Sequence, residues 1–276
     1  RLDLTNAFHQ GITMDIGIKG KRALIMGSSY GMGNGVARAL AAEGVDIVLT
    51  ARSQDILERE AKDIADTHGV RVEAIACDLA EESDVNRLVD FALDRMGGID
   101  IQFNNCGGPP RMLPSEADDK LWRDWFEIMV LSAVRATGAV MPGMRERGWG
   151  RVLSMTSSNI LLAATANVLS SSLRMSLVGW SKALSNEVAK DGVTVNCLIP
   201  GRIATDRVTH GDAARAERAG VTPEEMRARM IADAPMGRDG TVEEMASVAL
   251  LLCSQQAGYI NGSAIKVDGG RIPVTL

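Results

Sequence analysis

Tyrosine is almost missing from this chain: two occur in 276 residues, Tyr30 and Tyr259, alongside three histidines and four cysteines. Cys77, Cys106, Cys197 and Cys253 stand far apart, with no CxxC pair and no Cys/His spacing that suits zinc. That pattern excludes a disulfide framework and a structural metal site, and predicts core thiols in a reducing, cytoplasmic setting. Lysine and arginine are interspersed with acids at a net charge of −5. No basic run of the kind that tracks a phosphate backbone is present, so nucleic acid is excluded as a partner. The longest apolar stretches, such as Val248 to Cys253, are too short to span a bilayer. No secretory signal is visible, and no membrane partner is expected. Internal repeats, low-complexity segments and Pro- or Ser-rich linkers are also lacking. One domain from residue 14 to 276 is expected, preceded by an extension at residues 1–13.

What the chain has is ordinary globular composition, 46% hydrophobic and 24% charged, long enough to bury a large core. Short apolar runs alternate with helical patterns from end to end. Arg22–Met26, Asp46–Thr50, Val72–Ala76, Ile99–Phe103, Arg151–Met155, Val193–Ile199 and Ala264–Val267 read as seven strands. Helices are expected between them, among them Gly35–Ala42, Gln54–Thr67 and Trp122–Met141. Such alternation predicts an α/β fold with a doubly wound, Rossmann-type parallel sheet. The polar, Ala/Arg/Glu-rich segment at 206–235 interrupts this rhythm. Inserts at the carboxyl end of a parallel sheet tend to cover a ligand, so it reads as a lid; a solvated helical hairpin without a role is the alternative.

Gly27-Ser28-Ser29-Tyr30-Gly31-Met32-Gly33 follows the first strand and opens the first helix. Glycines there allow a sharp turn and close approach to a pyrophosphate, and the free N–H groups of a helix start attract it. About twenty residues on, an acid commonly grips the adenosine ribose in NAD-binding folds. This chain offers Ala51-Arg52 instead. An arginine at the end of that strand pairs with a 2′-phosphate, which favours NADP(H) over NAD(H); an exposed arginine without a ligand is the alternative.

With these residues in place, the chain resembles the short-chain dehydrogenase/reductase family from Met14 to Val274. The family's TGxxxGxG appears as Met26-Gly27…Gly31-Met32-Gly33, and its adenine-contacting pair as Asp78-Leu79. NNAG appears as Asn104-Asn105-Cys106-Gly107, and PGxxxT as Pro200-Gly201-Arg202-Ile203-Ala204-Thr205. Tyr259-Ile260-Asn261-Gly262 and Val267-Asp268-Gly269-Gly270 match the final strand and turn. Asn105-Cys106-Gly107-Gly108-Pro109-Pro110 looks most like the 3-oxoacyl-carrier-protein-reductase-like branch. The resemblance implies a hydride-transferring oxidoreductase acting on a small carbonyl or alcohol, and a homo-oligomer, dimer or tetramer. Its cofactor contacts would fall on Gly27, Ser29, Tyr30, Gly31, Met32, Gly33, Arg52, Asp78, Leu79, Asn105, Gly107, Arg174, Pro200, Gly201, Ile203 and Thr205.

Family members commonly use Asn, Ser, Tyr and Lys in catalysis. Without gaps, Arg151-Val152-Leu153-Ser154-Met155-Thr156-Ser157 aligns with the serine strand and gives Ser157. Val178-Gly179-Trp180-Ser181-Lys182-Ala183-Leu184 fixes the next helix, placing Ser170 at the tyrosine position and Arg174 at the lysine position, one helical turn apart. The asparagine position falls on Met129. Neither tyrosine of the chain is followed by lysine four residues later, so no other register restores the pair. Ser157, Ser170 and Arg174 are the catalytic candidates. Serine is a far weaker acid than a phenol, so the proton would come from water, substrate or another residue; His210, in the lid segment, is one candidate. Arg111 and Arg202 follow cofactor-facing loops and could meet an anionic substrate. A catalytically silent NADP(H)-binding protein and an enone or imine reductase are the alternatives to carbonyl reduction.

Overall fold

The computed structural model describes residues 15–274, so the extension at 1–13 lies outside the described residues. Seven parallel strands form one sheet: β1 (Arg22–Met26), β2 (Asp46–Ala51), β3 (Val72–Ala76), β4 (Ile101–Asn104), β5 (Gly150–Met155), β6 (Val193–Pro200) and β7 (Ala264–Val267). Their order is β3-β2-β1-β4-β5-β6-β7. The order reverses between β1 and β4, and crevices at such a switch point are where α/β sheets bind ligands.

Successive residues of a strand face opposite sides, and each side of this sheet has its own core. On one side Ile25 and Leu40 pack with Leu57, Met245 and Leu252, contributed by α1 (Gly31–Ala42), α2 (Gln54–His68) and α10 (Val242–Cys253). On the other, Leu24 and Met26 pack with Val85, Leu88 and Val140, from α3 (Glu82–Met96) and α5 (Ser132–Glu146). Burying each such side chain contributes about 1.5–3 kcal/mol.

Several boundaries differ from the sequence reading. The first helix begins at Gly31, four residues early, because the glycines that hide helical character in sequence form its first turn. Ile99 and Asp100 precede the β4 ladder; the Asp100 carboxylate accepts from Arg22 (Nη2–Oδ1 2.8 Å) and Arg147 (Nε–Oδ1 2.9 Å). The expected Trp122–Met141 helix starts at α4 (Asp119–Phe126), where Asp118 Oδ1 accepts from Leu121 N at 2.8 Å. It then passes through a π-helical turn at Glu127–Leu131 before continuing as α5. After β5 come the single turn α6 (Asn159–Leu162) and the long α7 (Val168–Val188).

The 206–235 segment is a helical hairpin, α8 (Asp206–Ala219) and α9 (Pro223–Ala232). It is fastened to the loop after β6 by a buried ion cluster. The Arg202 guanidinium pairs with Asp212 of α8 and with Asp239 (Nε–Oδ1 2.5 Å), and Arg227 of α9 reaches the same Asp239 at 3.1 Å. Arg202's hydrogen bond holds the Asp212 carboxyl below its ordinary range.

Candidate active site

The glycine turn and the end of β4 meet at the switch point. Asn105 Nδ2 donates to Gly27 O at 3.0 Å, tying the two strand ends together. Gly27 has φ +60°, and a Cβ there would lie 2.9 Å from Asn105 Nδ2. At Gly33 a side chain would collide with the Gly27 carbonyl. Only glycine fits at these two positions, where the turn packs tightly against Asn105 and its own backbone. The N-cap of α1, Tyr30, supplies no side-chain acceptor, and no acid sits in the first helical turn. These unpaired N–H groups at the positive end of a twelve-residue helix fit a pyrophosphate. Ser29 is half-buried, Met32 packs against the core, and the Tyr30 ring is exposed.

Around this turn the remaining cofactor candidates line one edge of the sheet. Arg52 follows β2, exposed and forming no ion pair among the described residues. Asp78 lies exposed after β3, with Oδ1 accepting from Ala80 N at 3.0 Å, and Leu79 packs on the second core. Gly107 is open to solvent beyond β4. Past β6, Gly201 N donates to Val267 O at 2.9 Å, and a Cβ on Gly201 would meet Asp268 Cα at 2.5 Å. Pro200 O accepts from Ser158 N at 3.2 Å, Ile203 is buried, and Thr205 forms the N-cap of α8. Thr205 Cγ2 stands 3.7 Å from where a Cβ on Gly31 would be. This loop thus closes over the glycine turn from the other side.

Ser157 sits just past β5, half-buried, its Oγ accepting from Asn159 N at 3.2 Å. Arg174 is buried on α7 beside Leu173 and Leu177, and its Nη1 donates to Met155 O at 2.6 Å. The helix therefore delivers a guanidinium to the last residue of the strand that carries Ser157. Ser170 is buried one turn earlier on the same helix and makes no side-chain hydrogen bond among the described residues. Cys106, in the loop after β4, is also at this spot. Burial pushes its thiol up, while the Arg174 and Arg207 charges pull the other way. Met129, at the asparagine position, is fully buried within the π-helical turn.

Two sequence expectations change. Arg202 is engaged by Asp212 and Asp239 and is not free for a substrate. Arg207, which sequence reasoning passed over, reaches the site instead, its guanidinium packed against Gly108. Its position in a helix of mixed polar residues carried no signal; only the fold brings α8 over the loop after β4. His210 is exposed on the same helix.

Comparison with known proteins agrees with this geometry. Residues 27–271 match the sequence profile of a family described as enoyl-(acyl carrier protein) reductase. The 3-oxoacyl-[acyl-carrier-protein] reductase FabG of Aquifex aeolicus is 30% identical over 257 residues, covering 93% of this chain and 99% of the relative. The chain belongs to the short-chain dehydrogenase/reductase family. It is a hydride-transferring oxidoreductase of the short-chain dehydrogenase/reductase type. D-beta-hydroxybutyrate dehydrogenase from Cupriavidus necator is 29% identical over 254 residues, covering 92% of this chain and 98% of its own length. Among solved short-chain dehydrogenase/reductase structures, L-sorbose reductase from Gluconobacter frateurii, complexed with NADPH and L-sorbose, superposes with a TM-score of 0.91 at 35% identity. That match covers 95% of this chain and all of the other.

Proposed function

We propose that this chain is an NADP(H)-dependent reductase of carbonyl substrates whose site works without a phenolic acid. The observation that carries the reading is the Arg174 Nη1–Met155 O bond of 2.6 Å, which fixes a cation beside the strand exit that bears Ser157. Bound NADPH would supply the hydride. Gly27, Ser29, Tyr30, Gly31, Met32 and Gly33 would seat its pyrophosphate, Asp78 and Leu79 its adenine, and Pro200, Gly201, Ile203 and Thr205 its nicotinamide end, with Asn105 and Gly107 bordering it. Arg52 would pair with the 2′-phosphate, consistent with the NADPH found with the sorbose reductase.

Ser157 would donate a hydrogen bond to the substrate oxygen, and Arg174 would stabilise negative charge developing there. Ser170 would complete the polar wall at the position the family usually gives to tyrosine. With serine, arginine and a buried Met129 in place of the usual acid and relay, the proton at that oxygen comes from water. General acid catalysis contributes about 10²–10⁴-fold, so positioning and charge remain substantial without it.

The test is NADPH oxidation across a carbonyl panel, with Ser157→Ala as the control. Firm NADPH binding with no turnover of any ketone or aldehyde overturns the reading. One observation favours a second reading, reduction of an enone or imine: Ser170 occupies the position the family usually gives to tyrosine, and conjugate reduction has less need of a phenolic acid. Product analysis separates the two.

The named relatives act on different carbonyl compounds or alcohols, so kinship does not set the substrate. A cytoplasmic homo-oligomer is also proposed. No helix among the described residues is long and apolar enough to cross a membrane. Phe126 of α4 and Met175 of α7 are exposed apolar groups that a partner subunit would cover. The α8–α9 hairpin is proposed as the lid of the substrate crevice.

A further inference from the structure

Most arginines on the lid side of the molecule have carboxylate partners: Arg202 and Arg215 on Asp212, Arg227 on Asp239, Arg238 on Glu244. Arg207, Arg218 and Arg229 of the hairpin have none among the described residues. Among the described residues Arg174, Arg207 and Arg111 form no ion pair, and Arg174 has only the Met155 carbonyl and the Cys106 thiol.

The arrangement follows from the helix period. Arg207, Gly211 and Arg215 fall on one face of α8 at intervals of four, and this face meets the loop after β4. Arg207 packs on Gly108 of that loop, where any side chain would displace it. One turn further along, the Arg111 charge, second to desolvation, holds Arg215 below its ordinary range. Arg207 is likewise lowered, by desolvation first and then by the neighbouring Arg174 charge. Arg207 also lies in the first turn of α8, the positive end of the helix dipole. Arg207 is an exposed side chain, so water moderates these effects and its guanidinium is open to a ligand. Like charges gathered without a counter-ion are stabilised when an anion enters between them.

We propose that Arg207 and Arg174, with Arg111 at the rim, form a carboxylate-binding site, so that the substrate is an oxo acid and not a neutral ketone. The proposal rests on the reductase reading above and specifies its substrate class. A guanidinium on the lid and one on α7 would hold the acid end, aligning the oxo carbon beside Ser157. The cofactor's pyrophosphate is the other anion that could claim Arg207, since Tyr30 of the glycine turn is also near it.

The experiment uses the full chain saturated with NADPH. Two-, three- and four-oxo acids of increasing length, each paired with its methyl ester, are titrated calorimetrically and assayed for NADPH oxidation. At least one acid is expected to bind about 10–100-fold more tightly than its ester, the range of a charge-assisted contact. Arg207→Gln should erase that preference while the NADPH dissociation constant, measured by nicotinamide fluorescence, stays within about twofold. Arg111→Gln, at the rim, should reduce it by about threefold. Esters binding as well as acids would overturn the proposal, as would NADPH saturation with no acid binding. An Arg207→Gln protein that loses NADPH affinity and keeps acid preference assigns the residue to the pyrophosphate, which also overturns it. Failure to bind NADPH at all would instead strike the reductase reading.

Discussion

Ser157 and Arg174 belong to different elements, yet Arg174 Nη1 donates to Met155 O at the end of β5, two residues before Ser157. If Ser157 donates to the substrate oxygen, Ser157→Ala should lower kcat by about 10²-fold, the cost of removing one donor to a developing oxyanion. NADPH affinity should be unchanged, because the hydroxyl contacts only Asn159 N in the free site. Steady-state kinetics with a fluorescence titration would check both. The pH profile is a sharper residue-level signature. Neither a serine hydroxyl nor a guanidinium gives up a proton near neutrality. The rate of reduction should therefore be flat between about pH 6 and 9, without the limb that a tuned phenol produces. A bell centred in that window would reveal an unrecognised acid. Arg52 supports a third expectation. Arg52→Ala should cut the NADPH-over-NADH preference by about 10–100-fold, the range of a charged hydrogen bond, and leave NADH binding intact. At this scale the sequence was informative wherever a role follows from a fixed distance along the chain. Ser170 and Arg174 were singled out by the family resemblance, which puts them at its tyrosine and lysine positions, one helical turn apart. Arg207 was not, since nothing local distinguishes a crevice arginine from a solvated one. Arg202, expected to meet a substrate, is paired with Asp212 and Asp239 instead, and Arg207, for which nothing was expected, lies against Gly108.

Elements add constraints that spacing alone does not show. The π-helical turn at Glu127–Leu131 is not announced in the apolar pattern, because a single turn is too short to set a period of its own. Within it Met129 is buried, and Ser132 Oγ donates to Ile128 O at 2.6 Å, satisfying a carbonyl of the irregular turn. The α8–α9 hairpin was legible as an insertion but not as an anchored one. Its attachment is the Arg202–Asp212–Asp239 cluster, with Asp212 and Asp239 both nearly buried. Because the folded-state Asp212 carboxyl lies below its unfolded value, the stability it contributes is complete above about pH 5. It is lost as pH falls through the folded value. Hydrogen exchange should accordingly show α8 opening in acid before the strands do. Asp212→Asn should cost about 2–3 kcal/mol, below the full penalty of a broken buried pair because Arg202 keeps Asp239. If α8 exchanges no faster in that variant, the cluster is not the hairpin's anchor.

At the scale of the molecule, the seven-stranded parallel sheet was readable because most of its strands are short apolar runs alternating with helical patterns, while the order in which they pair was not. What remained hidden was how far the two halves depend on each other. β1 and β4 pair as parallel neighbours at the switch point, Asn105 Nδ2 to Gly27 O ties together the loops that leave them, and the loop after β6 reaches the same turn. A dinucleotide lying there would bridge elements from both halves and both sides of that reversal. Its binding should therefore stabilise the whole chain and not one lobe. At a hundredfold excess over its dissociation constant, NADPH should add about 2.7 kcal/mol to the unfolding free energy. For a chain of this length that is a rise of about 5–10 °C in Tm. The transition should remain single, and hydrogen exchange should slow in β1, β4 and β6 together. Protection confined to β1 and β2 would mean that the ligand grips only the adenosine half, and that the loop after β6 takes no part in closing the crevice.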